Sequence, residues 1–174
     1  MPDLVHTSVP SWASAAAIPD LDVEGRRFAV FAIGPAALEL GRDWLEALES
    51  VVGPGRATLH QSAGFTEAEP VLEAELASAA VGWRLKLIGP ADDCLALRAR
   101  AVRAGLMDDE IQVASVDDRS RTVLCSHCTT RTTSDVGIGE TVGCRGCGRN
   151  LLVYHHVSRR HGAYMGFMSD AEQA

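Results

Sequence analysis

Four cysteines in the last third of the chain are its residues best suited to chemistry. They form two Cys-x-x-Cys pairs, Cys125 with Cys128 and Cys144 with Cys147, separated by 15 residues. This spacing is typical of a tetrahedral four-thiolate metal site, in which each pair occupies one tight turn and the two turns face each other. Gly148 follows the last cysteine, where a small residue lets backbone amides turn toward the sulfur. The pattern predicts one metal ion held by these four sulfurs.

The spacing leaves the metal open between zinc and iron. Zinc would be structural, because a module of this size buries too little apolar surface to fold alone. Iron in the same four sulfurs would make the module a rubredoxin-like, one-electron carrier. Disulfides are the competing use, but the sequence has neither a secretory signal nor a membrane-spanning apolar run. We therefore expect a cytoplasmic protein with reduced thiols and no membrane partner, which favours metal over disulfide.

The charge distribution divides the chain into two units. Residues 1–118 carry 9 Lys and Arg against 19 Asp and Glu, a balance of −10, whereas residues 119–174 carry 7 Arg against 4 acids. Arginine is suited to bidentate ion pairs at interfaces. The second unit is near neutral once about −2 from four thiolates on a divalent metal is added. Nucleic acid is therefore not an expected partner.

The hydrophobic pattern before the cysteines predicts an α/β unit over residues 25–118. Short apolar runs alternate with helical periodicity, which is typical of a three-layer parallel sheet. The predicted strands are 28–33, 57–61, 83–88 and 110–114, and the predicted helices run from Gly34-Pro35 to Val51, over 66–80 and over 91–104. No glycine-rich phosphate loop follows the first strand, so a working dinucleotide site is not expected. Cys94, in the third helix, is expected to be buried and unreactive.

The two ends of the chain are predicted to have different roles. Residues 1–24 are expected to be an extended arm that a partner could order, with Trp12 as a candidate anchor. Residues 119–174 are expected to be a small antiparallel zinc ribbon with strands 121–124, 141–143 and 151–157 and a loop over 129–140. Its tail is rich in Arg, Tyr, His and Met, a composition typical of interaction surfaces. The candidate partner-binding residues are Tyr154, His156, Arg159, Arg160 and Tyr164.

Residues 87–105 resemble the C-terminal part of the pyridine-nucleotide domain in ferredoxin-reductase-type flavoproteins. In that family a strand ends in Cys-Gly-Pro and a helix follows, and this chain has Ile88-Gly89-Pro90 in the same place. The resemblance implies a degenerate form of the nucleotide domain, without the cysteine and without the glycine-rich turn.

The segment from Cys125 to Phe167 resembles the small A subunit of bacterial dimethylamine monooxygenase. That resemblance implies a multicomponent, oxygen-dependent N-demethylase that converts dimethylamine to methylamine and formaldehyde using reduced nicotinamide. It implies two partners, a haem-containing oxygenase subunit and a reductase subunit with FMN and an iron–sulfur cluster. This chain has no haem-ligand, flavin or ferredoxin motif, so we expect an accessory subunit without a catalytic residue of its own. An electron-transfer module with iron in the four sulfurs is the alternative.

Overall fold

The computed structural model describes residues 7–169 and contains two β-sheets joined through residues 118–120. The first sheet has the strand order β2-β1-β3-β4, and all of its neighbouring strands are parallel. Its strands are β1 (Arg27–Ile33), β2 (Ala57–Ser62), β3 (Trp83–Pro90) and β4 (Ile111–Asp117). The α-helices are α1 (Ser11–Ser14), α2 (Leu38–Val52), α3 (Phe65–Ser78) and α4 (Ala91–Arg103), with 3₁₀ turns at Pro35–Ala37 and Asp108–Glu110.

The central strand β1 explains the three-layer arrangement. Its residues after Arg27 are all buried, because alternate side chains point to opposite faces of the sheet. Phe28 and Val30 pack with Trp44 of α2, whereas Phe31 packs with Leu72 of α3 on the other face. The predicted parallel α/β unit is confirmed. Strand β4 extends beyond its predicted end at Ala114, because Ser115 and Asp117 continue to pair with Gly89 and Pro90 of β3. The backbone of Ser115 also exchanges two hydrogen bonds with Ala17 of the arm.

The second sheet, whose strands flank the two Cys-x-x-Cys turns, is mixed. Its strand order is β6-β5-β9-β8-β7, and β5 pairs with β9 in parallel. Its strands are β5 (Arg121–Cys125), β6 (Arg131–Ser134), β7 (Thr141–Gly143), β8 (Asn150–Ser158) and β9 (Ala163–Met168). The prediction of an antiparallel ribbon was therefore wrong. The tail turns back after β8 and inserts β9 between β8 and β5, and the segment predicted as a loop contains β6.

The N-terminal arm packs on its own chain. Val9 and Ala13 are buried in the core of the second sheet, and Trp12 packs against the cores of both units. The Tyr164 hydroxyl donates a 2.8 Å hydrogen bond to the carbonyl of Ala13. The expectation that this arm is ordered by a partner is therefore wrong for residues 7–24, and the earlier residues lie outside those described.

Helix α4 joins the two units through a half-buried carboxylate. Asp92, at the start of α4, accepts hydrogen bonds from the backbone N–H and the hydroxyl of Thr122 in β5, at 2.8 and 2.6 Å. Burial raises the pKa of Asp92, and the two bonds from Thr122 oppose that shift by stabilising the ionised form. Three residues further on, Leu95 is buried in the core of the second sheet. None of the helices within residues 7–169 is both long and apolar enough to cross a bilayer.

Candidate metal centre

The four cysteine sulfurs converge as the spacing predicted. The Sγ atoms of Cys125, Cys128, Cys144 and Cys147 all lie within 4.8 Å of one another. Cys125 is 3.8 Å from Cys147 and Cys128 is 3.5 Å from Cys144. A regular tetrahedron with metal–sulfur bonds of about 2.3 Å has edges of about 3.8 Å, whereas a disulfide bond is about 2.05 Å long. The donor set therefore fits one tetrahedral metal ion, and its geometry suits zinc and iron alike.

The two cysteine turns have the same backbone structure. In the first, the N–H of Thr129 donates to the carbonyl of Cys125 at 2.9 Å, and in the second the N–H of Gly148 donates to Cys144 at 3.0 Å. Each turn ends in a residue with left-handed backbone, φ 59° at Thr129 and 71° at Gly148. Thr129 is the one residue other than glycine with positive φ within 7–169. A β-branched side chain is strained in this region, so the first turn is the less relaxed of the two.

Backbone and side-chain donors give the four sulfurs unequal environments. The backbone N–H of Arg149 is the main cause that lowers the pKa of Cys147 to about 5, and hydrogen bonding from the side chain of Thr130 lowers the pKa of Cys128. Burial acts in the opposite direction on Cys125 and raises its pKa to about 11. Because all four ligands must be deprotonated, a bound cation would have to displace the proton of the Cys125 thiol.

Gly146, between the two cysteines of the second turn, is required by the packing of the turns. A Cβ atom at this position would lie 2.1 Å from the hydroxyl of Thr130 and 3.2 Å from the sulfur of Cys128. Both contacts belong to the opposite turn. The need for glycine at this position could not be inferred from the sequence, because it depends on how closely the two turns approach each other.

Comparison with known proteins agrees with this site. A family model described as "Dimethylamine monooxygenase subunit DmmA-like, C-terminal domain" matches residues 122–167, which contain all four cysteines. The chain is also 36% identical, over 137 residues, to the heme-dependent oxidative N-demethylase delta subunit of Ectopseudomonas mendocina (strain ymp). The match covers 76% of this chain and 77% of that protein.

The chain belongs to this N-demethylase delta-subunit family. The resemblance inferred from the cysteine turns and the tail is therefore confirmed. No solved structure matches the chain.

The tail residues predicted to bind a partner occupy different environments in this family member. Tyr154 is exposed, and its ring meets the edge of the Phe167 ring at 5.5 Å. His156 is also exposed, with Nδ1 2.7 Å from the hydroxyl of Ser8. Tyr164 is 1% exposed and belongs to the core, so it cannot form part of a surface of this chain.

Arg159 and Arg160 lie in the turn between β8 and β9, and His155 lies within β8. Arg159 forms an ion pair with Asp108 of the α/β unit, and Arg160 lines a cleft between the two units. A register shift between Val153 and Val157 interrupts the inward and outward alternation of β8 side chains at His155 and His156. As a result neither histidine enters the core, and His155 stacks on Tyr154 with ring centroids 4.0 Å apart.

Replacement of Cys144 tests the metal's contribution to folding. Cys144 is 4% exposed and belongs to the core of the second sheet, so Cys144→Ser removes a metal ligand and leaves a hydroxyl in an apolar site. We expect loss of the metal and rapid trypsin cleavage at Arg131 and Arg145, while residues 27–117 resist cleavage. Cys94→Ser is the matched control and should retain the metal. Unchanged protease resistance of the ribbon in Cys144→Ser would contradict the prediction.

The strained first turn gives a second test. Thr129→Gly should stabilise the metal-loaded ribbon by about 1 kcal/mol, because glycine adopts left-handed backbone without steric cost. Gly148→Thr places the same side chain in the equivalent position of the second turn and should destabilise it by a similar amount. When a chelator is added, metal release should be slower from Thr129→Gly than from the unmodified chain, and fastest from Gly148→Thr. Equal rates for the two variants would count against the strain argument.

Proposed function

We propose that this chain is an accessory, non-catalytic subunit of a multicomponent, oxygen-dependent N-demethylase that acts on dimethylamine. The observation that carries the proposal is its 36% identity to a delta subunit of a heme-dependent oxidative N-demethylase. The family model for dimethylamine monooxygenase subunits, matched across the ribbon, supports dimethylamine as the substrate of the whole complex. Four close thiols suited to a metal ion support a reducing, cytoplasmic location.

The ribbon sheet offers a surface for the proposed partners. Strands β8 and β9 carry apolar side chains on both faces, a pattern typical of strands that are covered on both sides. Leu151, Val153 and Tyr164 are buried on the inner face. On the outer face Leu152 pairs with Phe167, and the Tyr154 ring lies beside it. We name Leu152, Tyr154 and Phe167 the aromatic face.

The aromatic face has the features of an interface anchor. Tyr154 is 39% exposed and Phe167 is 42% exposed, although both are large apolar rings. Buried aromatic residues often carry most of the binding free energy at protein–protein interfaces. His156 and Arg160 are exposed on the same hairpin and would form a polar rim that suits an acidic partner surface. We propose that the haem-containing oxygenase subunit and the FMN/iron–sulfur reductase subunit dock here.

The metal is proposed to be zinc with a structural role. Cys125 and Cys144 lie in the core of the second sheet beside Leu151 and Val153, so a bound metal would tie β5 to the β7–β8 hairpin. One observation favours the alternative, an iron-containing electron carrier. Cys128 and Cys147 are half-buried rather than buried and receive the hydrogen bonds that stabilise thiolates, which would give electrons a route to the surface.

Metal analysis of the chain purified without chelators separates these two roles. We expect one zinc per chain and no visible absorption. One iron per chain, with thiolate charge-transfer bands that bleach on reduction, would overturn the structural proposal in favour of electron transfer.

The α/β unit is proposed to be a degenerate relative of the reductase nucleotide domain. Its parallel sheet and the Gly89-Pro90 turn before α4 support this relationship. At the end of β1 the backbone turns through Gly34 directly into Pro35, which has no N–H to offer a phosphate. This unit would therefore act as a scaffold and hold no nucleotide at that turn.

Co-purification tests the docking proposal. We expect the double variant Tyr154→Ser, Phe167→Ser to lose at least about tenfold in affinity for the oxygenase or reductase subunit, because two aromatic anchors are removed. The matched control is Val81→Ser, Met107→Ser, which removes two apolar side chains that are 94% and 66% exposed on the α/β unit. Both variants should keep their metal. Normal assembly of the Tyr154, Phe167 double variant would contradict docking through the aromatic face.

A further inference from the structure

A cleft of about 670 Å³ lies between the two units, on the side where α3 and α4 meet the ribbon. Four arginines from separate parts of the chain line it: Arg100 and Arg103 from α4, Arg131 from β6 and Arg160 from the β8–β9 turn. His161 and Thr133 complete the ribbon wall. The α/β unit is strongly acidic overall, so this concentration of guanidinium groups is a local feature of the junction.

Three of these arginines have no carboxylate partner within residues 7–169. Arg103 donates to the carbonyl of Arg160, and Arg131 donates to the carbonyls of His161 and Gly162, at 2.9 and 3.3 Å. The side chain of Arg160 makes no hydrogen bond or ion pair with any described residue. Only Arg100 pairs with acids, Glu69 and Glu73 of α3. Neutral backbone carbonyls therefore orient the exposed side chains of Arg103 and Arg131. Glu69 attracts Arg103 and Asp92 attracts Arg131, but neither carboxylate forms an ion pair with its arginine.

The three carboxylates that line the cleft already accept hydrogen bonds or form an ion pair within the chain. Asp92 accepts two hydrogen bonds from Thr122, and Asp93 accepts one from the backbone N–H of Phe65. The third, Glu69, pairs with Arg100. Burial and then the charge of Arg100 lower the pKa of Arg103, Glu69 opposes that shift, and the charges of Arg131 and Arg160 lower the pKa further.

We propose that this cleft is a binding site for a small multivalent anion that carries phosphate or carboxylate groups. A guanidinium group presents paired N–H donors in a fixed plane, which match the oxygen pairs of these anions. The volume is within the range of small-molecule sites, and the backbone anchors of Arg103 and Arg131 reduce the entropy lost on binding. Because each unit supplies two of the arginines, bound anion would also hold the units together. The proposal does not depend on the docking function and can be tested on the isolated chain.

Titration calorimetry on the full-length, metal-loaded chain at low ionic strength tests this site. Pyrophosphate is the phosphate probe, tricarballylate is the carboxylate probe, and sodium chloride at matched ionic strength is the blank. We expect at least one probe to bind with one-to-one stoichiometry, and the tighter of the two identifies the chemistry of the ligand. Absence of binding by both probes would overturn the proposal.

The arginine variants make the test specific. Arg160→Gln removes one charge without removing a side-chain bond, so folding should be unaffected and affinity should fall about tenfold, as expected for a charge-assisted hydrogen bond. Arg145→Gln, an exposed ribbon arginine outside the cleft, is the matched control and should bind like the unmodified chain. Equal losses in both variants would indicate non-specific charge attraction and overturn the site. Exclusion of the probe by an added oxygenase or reductase subunit would identify an acidic partner segment as the occupant instead of a small ligand.

Discussion

The structure depends on the packing of the second sheet, whose own residues are too few to bury its inner face. The ribbon is too small to enclose a core, and the side chains that bury Val123, Leu151 and Tyr164 come from the arm and from α4. Val9, Ala13 and Leu95 supply that cover. The closeness of the contact is visible at Gly162, where a Cβ atom would lie 2.3 Å from the carbonyl oxygen of Leu95. One packed face thus fixes the orientation of the ribbon on the α/β unit, and with it the position of the metal site, the aromatic face and the cleft.

The arm is itself held in place by an ion pair between a buried lysine and a partly exposed carboxylate. Lys86, in the middle of β3, is 1% exposed and its ammonium group lies 3.2 Å from the carboxylate of Asp22. Burial lowers the pKa of Lys86, and Asp22 opposes that change by stabilising the charged form. Removing Asp22 alone would leave a buried, unpaired ammonium group, which is far more costly than losing an exposed ion pair. The chain's single lysine therefore holds the end of the arm, and the start of the same arm covers the core of the ribbon.

Patterns of neighbouring residues were sufficient to predict the strands, helices and turns that form from continuous segments of the chain. The strands and helices of the α/β unit followed from alternating apolar runs, and the two cysteine turns followed from spacing. The failures all involve pairing between distant segments. Tyr164 looked like an interface residue, but its ring enters a core completed by Ala13, 151 residues away, which also accepts its hydroxyl hydrogen bond. The parallel pairing of β9 with β5 and the register shift at His155 have no local signature either, because both depend on where β9 is inserted.

Insertion of β9 also determines how the two proposed surfaces are related. Leu124 of β5 is paired with Arg131 on one side and with Met165 on the other, and Phe167 follows two residues later on the same face of β9. Arg131 of the cleft and Phe167 of the aromatic face therefore lie on the same face of the sheet, with the buried Leu124 between them. The parallel pairing of β9 with β5, which has no local pattern in the sequence, is thus what connects the strand beside the cleft to the strand that carries Phe167.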